Sequence, residues 1–452
     1  MKMFGTNGIR GIPNEFLNCN NLTKIGMSIA FVLGPGPIAI ARDPRISSDM
    51  LVSSVSAGIM SMGIDVHDLG MIPTPALQLY VKNHKISGGV MITASHNPPE
   101  FNGVKCISSD GTECSPEEES AIEDAFDIEL KIADWNRIGN RIVISDAAEQ
   151  YVESIIDKAD TELIRKANLK VCVDCANGAG CFTTPMILKR LGVKTIAINA
   201  NPDGNFPGHH SEPLEKNLGQ LIQLMKNGDT DLGAAHDGDA DRCCFVTGSG
   251  KYLTGDISLA LLSREAVSQC KGKAVTTVAT SSLVTDCVEQ NNGSVILTAV
   301  GSPIVARKMM ESGAIIGGED NGGTIFGDHQ FCRDGAMAIV RMLELIARHG
   351  NLDGQVDALP KYHTIKAVMH CNNRLKTEML NELRKKIFEG NINTVDGIRV
   401  DYNDGWVIMR PSGTEPKFRI TSESTDQNIA KERSERFVSL YETIYSKLEV
   451  SL

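Results

Sequence analysis

The sequence predicts three related α/β domains with mixed sheets, followed by a smaller α+β domain. Three observations carry that expectation. An apolar strand, a short polar turn, a segment of 3.6-residue periodicity, a glycine and a second strand recur three times along the chain, which is the pattern of a βαβ crossover. Roughly the last eighty residues abandon it for the two-residue alternation of antiparallel strands between helical segments. At 452 residues the chain also exceeds what one core organises, since domains run to about 150 residues.

In the first unit PIAIARD is a strand, ISSDMLVSSVSAGIMSM a helix, Gly63 the stop and IDVHDLG the second strand. The second unit repeats this with LKVCVDCANG, TTPMILKRL, Gly192 and VKTIAINA, and the third with KAVTTVAT, SSLVTDCVEQN, Gly293 and SVILTAV. In the tail, NRLKTEMLNELRKKIFEG is helical, TVDGIRVDYNDGWVIMR alternates around Asn403, Asp404 and Gly405, and AKERSERFVSLYETIYSKLE closes the chain as a helix. Boundaries are expected near residues 150, 250 and 368, giving units 1–150, 151–250, 251–368 and 369–452.

Composition narrows the function classes. With 42% hydrophobic and 22% charged residues and no low-complexity tract, folding is expected throughout. A formal net charge of -11 argues against nucleic acid and against an anionic membrane surface as partners. An anionic substrate would need a site that reverses the sign locally. The start MKMFGTNGIRG lacks the apolar stretch of a secretory signal, and the longest uncharged run, IGMSIAFVLGPGPIAIA, is short for a span and broken by Gly-Pro-Gly-Pro. A cytoplasmic protein is expected. Twelve scattered cysteines then read as buried thiols. Cys172 and Cys175, three apart on a strand, point to opposite faces and make a poor metal or redox pair.

Four stretches bear chemistry. The apolar VMI run ends abruptly in Thr93, Ala94, Ser95, His96, Asn97 and Pro98; this is either a strand end with a turn or a rigid loop presenting Ser95 as a nucleophile. In HDGDADR, Asp237, Asp239 and Asp241 alternate, and in extended backbone they share a face. Three carboxylates about 4 Å apart repel by roughly 1 to 4 kcal/mol per pair, a conflict that a hard cation such as Mg²⁺ resolves. An EF-hand is excluded, because its sixth and twelfth positions are here Arg242 and Gly248. In IIGGEDNGGTIFG, four glycines around Glu319, Asp320 and Asn321 let backbone approach a ligand, and the carboxylate and amide can bond sugar hydroxyls; an acidic hairpin turn is the other reading of the same residues. In RPSGTEPKFRI, Arg410, Ser412, Gly413, Thr414 and Arg419 form either a phosphate cradle of amides, hydroxyls and guanidinium forks or a plain turn with surface arginines. GPGPIA at 34–39 precedes a strand and is no dinucleotide fingerprint, and no P-loop is present. His209 and His210 lack a partner at metal-ligand spacing and read as a surface pair.

Taken in order, TASHNP at 93–98, DGDADR at 237–242, GGEDNGG at 317–323 and RPSGTEP at 410–416, with FGTNGIRG at 4–11, resemble the motifs of the α-D-phosphohexomutases, the family of phosphoglucomutase, phosphomannomutase and phosphoglucosamine mutase. The likeness spans essentially the whole chain. It implies four domains around a central cleft, with one motif from each. It implies that Ser95 is a phosphoserine that passes its phosphoryl group to a hexose phosphate through a bisphosphorylated sugar, which also serves as activator. Asp237, Asp239 and Asp241, with Ser95, would hold one Mg²⁺; Lys105 would be the general acid/base, assisted by Arg10 and His96. Arg242 would contact the phosphoryl group, Glu319 and Asn321 the sugar hydroxyls, and Arg410, Ser412, Gly413, Thr414 and Arg419 the phosphate that is not reacting.

The sugar loop departs from many relatives, which carry Ser-Gly-His where this chain has Asn321, Gly322 and Gly323. That form resembles the archaeal-type members assigned as phosphoglucosamine mutase, with glucose or mannose phosphate as the alternative. The partner expected is a small phosphosugar, with no nucleic acid and no membrane; oligomeric state is left open. An aspartyl-phosphate phosphatase or mutase using Asp237 and Asp239, and a phosphosugar-binding sensor without turnover, are the other readings of these motifs.

Overall fold

The computed structural model describes residues 2–5, 8–387, 389–413 and 415–449. Its strands form four sheets, met in chain order. The first contains β1 (Ile9–Gly11), β2 (Ile38–Arg42), β3 (Val66–Met71), β4 (Gly88–Ile92), β5 (Asn102–Ser108) and β6 (Arg141–Val143), in the order β1-β5-β4-β2-β3-β6. The second contains β7 (Lys170–Asp174), β8 (Lys194–Ile198), β9 (Leu232–His236), β10 (Cys243–Thr247) and β11 (Tyr252–Leu253), in the order β11-β10-β9-β7-β8. The third contains β12 (Lys273–Thr277), β13 (Ser294–Thr298), β14 (Ile316–Gly318), β15 (Thr324–Phe326) and β16 (Gln330–Arg333), in the order β13-β12-β14-β15-β16. The fourth is antiparallel throughout, β17 (His363–His370), β18 (Asn391–Asn393), β19 (Ile398–Tyr402), β20 (Gly405–Pro411) and β21 (Lys417–Ser424) running β17-β21-β20-β19-β18.

All three expected crossovers are present. β2 and β3 pair in parallel across the helix Ser48–Ser61, β7 and β8 across Thr184–Arg190, and β12 and β13 across Ser282–Glu289. The stop signals act as their chemistry requires: Gly63 and Gly192 have φ of +83° and +78°, a left-handed turn that costs glycine nothing. In the third unit the left-handed residue is Asn292, at φ +61°, and Gly293 follows it. Each of the first three sheets then adds an antiparallel pair beside its parallel strands, β4 with β5, β9 with β10 and β14 with β15.

One apolar cluster runs without a break from the first sheet through Tyr151 and Ile155 to Val171, Phe245, Leu259 and Met337, so the first three units share a core. A second cluster fills the other face of the first sheet. The fourth sheet has its own core, in which Phe437, Tyr441 and Ile444 of the helix Gln427–Glu449 pack on Val400, Val407 and Phe418. Trp406 and Ile408 join it to Val278 of the third unit, and Arg399 lies over the indole at 4.6 Å while donating to the Val278 carbonyl at 2.6 Å. β11 pairs with β10, and β17 with β21, so residues 252–253 belong with the second sheet and residues from 363 with the fourth. Both segments are too short or too plain in pattern to reveal their partner from sequence.

Cys172 and Cys175 contribute to different apolar clusters, as opposite faces require. All twelve cysteines are free thiols. Among the described residues no helix is long and apolar enough to cross a membrane. The reading of His209 and His210 as a surface pair is half wrong. His210 is exposed, but the His209 ring is only 8% exposed, with Nε2 3.2 Å from Asp174 Oδ2. Asp174 sits at the end of β7, 35 positions away in sequence, so no local spacing rule could find it.

This pair gives a pH prediction. Burial lowers the His209 pKa, but Asp174 beside Nε2 and the His210 carbonyl, 2.7 Å from Nδ1, outweigh it and the net shift is upward. A raised folded pKa means that the contribution to stability is complete below the unfolded value of about 6.5 and is lost as pH rises through the folded value. The thermal midpoint of the parent minus that of His209→Gln should therefore be largest at about pH 5.5 and shrink toward about pH 9. A difference independent of pH would show that the imidazole acts by packing alone.

Candidate active site

The four motif loops occupy equivalent positions in their sheets. Residues 93–101 join β4 to β5, 237–242 join β9 to β10, 319–323 join β14 to β15, and 412–416 join β20 to β21, each a connection between neighbouring antiparallel strands.

In the first loop Ser95 is fully buried with φ at +51°, a left-handed conformation that costs a non-glycine residue about 1–3 kcal/mol. Its amide donates to Thr93 Oγ1 at 2.8 Å. The hydroxyl lies 2.8 Å from Asp237 Oδ2 and 3.3 Å from His96 Nδ1. Burial, with Arg242 and Arg10 nearby, pushes the His96 pKa down to about 2, so this imidazole is neutral. Arg10 Nη1 donates to Asn97 Oδ1 at 2.6 Å, which brings the amino-terminal strand β1 to the same loop.

The three aspartates converge, but not by the geometry their spacing suggested. They occupy a tight turn in which Ala240 is left-handed at φ +56°, closing β9 onto β10 with His236 opposite Cys243. An extended run would have placed the carboxylates in a row, whereas the turn wraps them around one point. One oxygen from each lies within 4.8 Å of the others, and all three residues are buried. Burial, then Asp239 and Asp241, pushes the Asp237 carboxyl up to about 8. Burial acts in the same direction on Asp239, but Lys105, Thr74 and Arg333 outweigh it and hold that carboxyl well below the usual range.

Those partners divide the oxygens into two sets. Asp239 Oδ2 accepts from Lys105 Nζ at 2.6 Å and from Thr74 Oγ1 at 2.6 Å. Asp241 Oδ2 accepts from Lys105 Nζ at 3.0 Å and from Arg333 Nη2 at 2.6 Å. Asp239 Oδ1 and Asp241 Oδ1 are buried without any hydrogen-bond partner. Two orphaned anionic oxygens beside a third carboxylate fit a hard divalent cation, because such ions take oxygen ligands and a buried acceptor is costly to leave unmatched. Sequence reasoning missed Thr74 and Arg333. Thr74 begins the helix Thr74–His84 and Arg333 ends β16, positions where neither residue stands out.

The third loop is seated on the second. Gly322 accepts from the Cys243 amide at 3.1 Å, and a Cβ on it would come within 2.8 Å of the Cys243 carbonyl oxygen; its φ of +84° also favours glycine. Glu319 is buried, accepts from the Gly301 amide at 3.0 Å and from Asn321 Nδ2 at 3.3 Å, while Asn321 Oδ1 takes the Gly323 amide at 3.0 Å. Burial raises the Glu319 pKa against the opposing charges of Arg333 and Arg242. This carboxylate therefore faces the same cations that surround the triad.

On the fourth sheet Arg410 and Arg419 are direct cross-strand partners. Arg410 Nη2 is 3.1 Å from Asp396 Oδ2, which also accepts from the Val300 amide at 3.1 Å and so ties the loop to the third unit. Ser412 Oγ accepts from the Glu415 amide at 3.2 Å, Arg419 Nη2 is 3.4 Å from Glu415 Oε2, and nothing lies within 4 Å of a Cβ on Gly413. Thr414 lies outside the described residues. Lys376, another residue absent from the sequence reading, donates to the Ser412 and Glu415 carbonyls at 2.5 and 2.6 Å. The structure thus joins Arg10, Ser95, His96, Lys105, Asp237, Asp239, Asp241 and Arg242 in one cluster, with Glu319 and Asn321 adjoining it. The described residues of the 410–419 loop form a second group on the fourth sheet.

Comparison with known proteins finds the same number of units along the chain. Residues 1–132, 149–250 and 254–362 match the family descriptions "Phosphoglucomutase/phosphomannomutase, alpha/beta/alpha domain I", "domain II" and "domain III", and residues 369–440 match its "C-terminal domain". The chain is 40% identical over 442 residues to "Phosphoglucosamine/phosphogalactosamine mutase" of Sulfurisphaera tokodaii, covering 95% of this chain and 96% of that protein. It is 39% identical over 452 residues to "Phosphoglucomutase/phosphomannomutase" of Thermococcus kodakarensis, covering 98% of each. Among solved structures it is similar to a phosphoglucomutase/phosphomannomutase family protein of Burkholderia thailandensis, with a TM-score of 0.87 at 27% identity and 96% of each chain covered.

The division of the carboxylate oxygens leads to an expectation about metal binding. Thr74→Val removes a bond to the outer oxygen of Asp239 without touching an inner one, and losing such an orienting partner typically costs about 10- to 100-fold in metal affinity. Calorimetric titration of the two proteins with Mg²⁺ should show a loss of at least about tenfold. Equal affinities would mean that the threonine does not orient the carboxylate.

Proposed function

Because the chain belongs to the phosphoglucomutase/phosphomannomutase family, we propose that it interconverts glucosamine 6-phosphate and glucosamine 1-phosphate through a phosphoserine at Ser95 and a bisphosphorylated sugar. Its class of activity is that of a phosphohexomutase, an isomerase. The observation that carries the finer reading is the 2.8 Å contact between Ser95 Oγ and Asp237 Oδ2, which puts a buried nucleophile against the acidic triad.

In the proposed cycle the P–O bond to Ser95 Oγ breaks as a bond forms from phosphorus to the 6-hydroxyl oxygen of the 1-phosphate, or to the 1-hydroxyl oxygen of the 6-phosphate. The bisphosphate then turns over, and its other phosphoryl group returns to Ser95. A Mg²⁺ held by Asp237, Asp239 and Asp241 would offset charge on the transferring phosphoryl group, which is the main demand of such transfers. Lys105 is the proposed proton carrier. Burial alone would lower its pKa, but the charges of Asp239 and Asp241 outweigh it and the net shift is upward, so it rests as an ammonium; it would give a proton to the departing oxygen and take up the one that the attacking hydroxyl loses, ending each transfer as an ammonium again. Arg10 and Arg242 keep buried Nε groups without a hydrogen-bond partner, that of Arg242 lying 3.8 Å from Asp237 Oδ2 and Asp241 Oδ1, and Arg410 does the same in the second group. An unmade hydrogen bond at a buried donor costs about 1–3 kcal/mol, more when charged, and phosphoryl oxygens are natural acceptors for guanidinium forks. Glu319 and Asn321 are the proposed sugar contacts. Arg410, Ser412, Gly413, Thr414 and Arg419 are the proposed grip on the unreacting phosphate.

Glucosamine is chosen on the Asn321-Gly322-Gly323 loop and on the name of the relative that is 40% identical. The relative at 39% identity, named for glucose and mannose phosphates, favours those sugars as the second reading. Measuring kcat/KM for glucosamine, glucose, mannose and N-acetylglucosamine phosphates with Mg²⁺ and the matching bisphosphate decides between them.

Ser95→Ala should remove nearly all turnover while the melting curve stays close to the parent's, since Ala lacks only the hydroxyl. Phosphosite mapping of the parent should find the phosphate on Ser95. Turnover of the variant within a few-fold of the parent, or a phosphate on Asp237, would replace this mechanism with an aspartyl-phosphate one.

Arg410→Ala should raise KM for every hexose phosphate by a similar factor, because charged hydrogen bonds contribute about 1.5–3 kcal/mol and a guanidinium recognises phosphate without reading the sugar. Loss confined to one sugar would make this loop a sugar reader.

A further inference from the structure

The loop that presents Ser95 is built around an arginine that no sequence motif marks. Arg45 follows β2 in the stretch Arg42-Asp43-Pro44-Arg45, and its side chain is fully buried. Every N–H of its guanidinium is used. Nη2 donates to the carbonyls of Ser95 at 2.8 Å and Asn97 at 2.7 Å. Nη1 donates to those of Pro98 at 2.6 Å and Phe101 at 2.8 Å. Nε donates to Asp43 Oδ2 at 3.0 Å. Four backbone carbonyls of one short loop thus turn inward to a single planar fork, and buried carbonyls must find donors somewhere.

Asp43 closes the arrangement from the other side. Its Oδ2 accepts from Thr93 Oγ1 at 2.6 Å, and Thr93 Oγ1 in turn accepts the Ser95 amide at 2.8 Å. The N–H of Ser95 is therefore held through Thr93 and Asp43, and its C=O directly by Arg45. With both peptide groups pinned, the φ of +51° is over-determined, which is how a strained conformation persists. The second unit seals the clamp. The Phe206 ring centroid lies 5.0 Å from the guanidinium carbon, Gly204 approaches so closely that a Cβ would meet the Pro44 carbonyl at 2.5 Å, and a Cβ on Gly238 would meet the Ser95 carbonyl oxygen at 2.5 Å.

We propose that Arg45 is a positioning residue for phosphoryl transfer: through the carbonyls of Ser95, Asn97, Pro98 and Phe101 it holds Ser95 in its left-handed conformation with Oγ against Asp237. This rests on the reading of Ser95 as the phosphoryl carrier. Arg45 touches neither substrate nor reacting atom. A lysine cannot replace it, because a flexible point charge with three donors does not bridge four carbonyls and a carboxylate in a plane. Without the fork Ser95 relaxes and its oxygen leaves the line of attack, and a shift of about 1 Å can cost about 100-fold in rate.

The test uses the full-length chain with Arg45→Lys, Thr93→Val, Thr93→Ser and Ser95→Ala. Three quantities are read at a temperature well below the melting point of each protein: kcat, KM, and the single-turnover rate at which a hexose bisphosphate phosphorylates Ser95, followed by intact mass. Arg45→Lys is expected to lose about 100-fold in kcat and in the single-turnover rate with KM within about threefold, whereas a merely structural role would lower the melting point and leave the rate of folded molecules unchanged. Thr93→Val should follow the same split, and Thr93→Ser, which keeps the hydroxyl, should stay near the parent. Should Arg45→Lys not fold, Thr93→Val carries the test, and parent-like kcat in it overturns the proposal, as does parent-like kcat in a folded Arg45→Lys. If Ser95→Ala itself remains active, the phosphoserine reading fails and this inference falls with it; if Ser95→Ala is inactive while Arg45→Lys and Thr93→Val match the parent, only the positioning role is wrong.

Discussion

Three buried carboxylates in one turn repel one another, and much of this structure is the answer to that repulsion. At effective dielectrics between water and a protein surface the conflict amounts to roughly 1–4 kcal/mol per pair. It is met by groups from both neighbouring units. Lys105 and Thr74 come from the first, Arg333 from the third, and the triad itself from the second. The electrostatics that a turn of three buried carboxylates requires therefore also tie three units together. An apolar core continuous through the same three units makes that geometry rigid.

The same constraint explains how an acidic protein can face an anionic substrate. The net charge of -11 belongs to the whole chain, but Arg10, Lys105, Arg242 and Arg333 gather around the one place where Ser95 meets the triad. Burial and these cations keep His96 neutral, so local charge comes from arginine and lysine. The fourth unit stands apart in kind. It has its own core, meets the third unit through Trp406 and a few polar bonds, and brings its two loop arginines together by strand register.

Equivalent placement of the four motif loops gives this arrangement its economy. Each joins two antiparallel strands, so each is anchored at both ends by a hydrogen-bonded ladder. A loop held in that way can carry a strained residue, as the first does at Ser95 and the second at Ala240. In the third, glycine lets backbone lie against backbone at Gly322.

By itself the sequence determined the three βαβ units, the antiparallel tail and the four chemistry-bearing loops, because periodicity, turn residues and clusters of like charge are local properties that a short window displays. It also pointed to a cation at Asp237, Asp239 and Asp241, although through extended backbone where the chain in fact turns at Ala240. Only the tertiary structure decided which residues answer those carboxylates and which hold Ser95. Thr74 and Lys105 lie 165 and 134 positions from Asp239, and Arg333 lies 92 from Asp241. A single threonine, lysine or arginine carries no pattern of its own. The 42–45 stretch reads as an ordinary turn, and nothing in it says that Arg45 points inward to four carbonyls. Such roles are set by which strands become neighbours, and that depends on burying apolar faces across the whole chain, not on the residues that end up in the site.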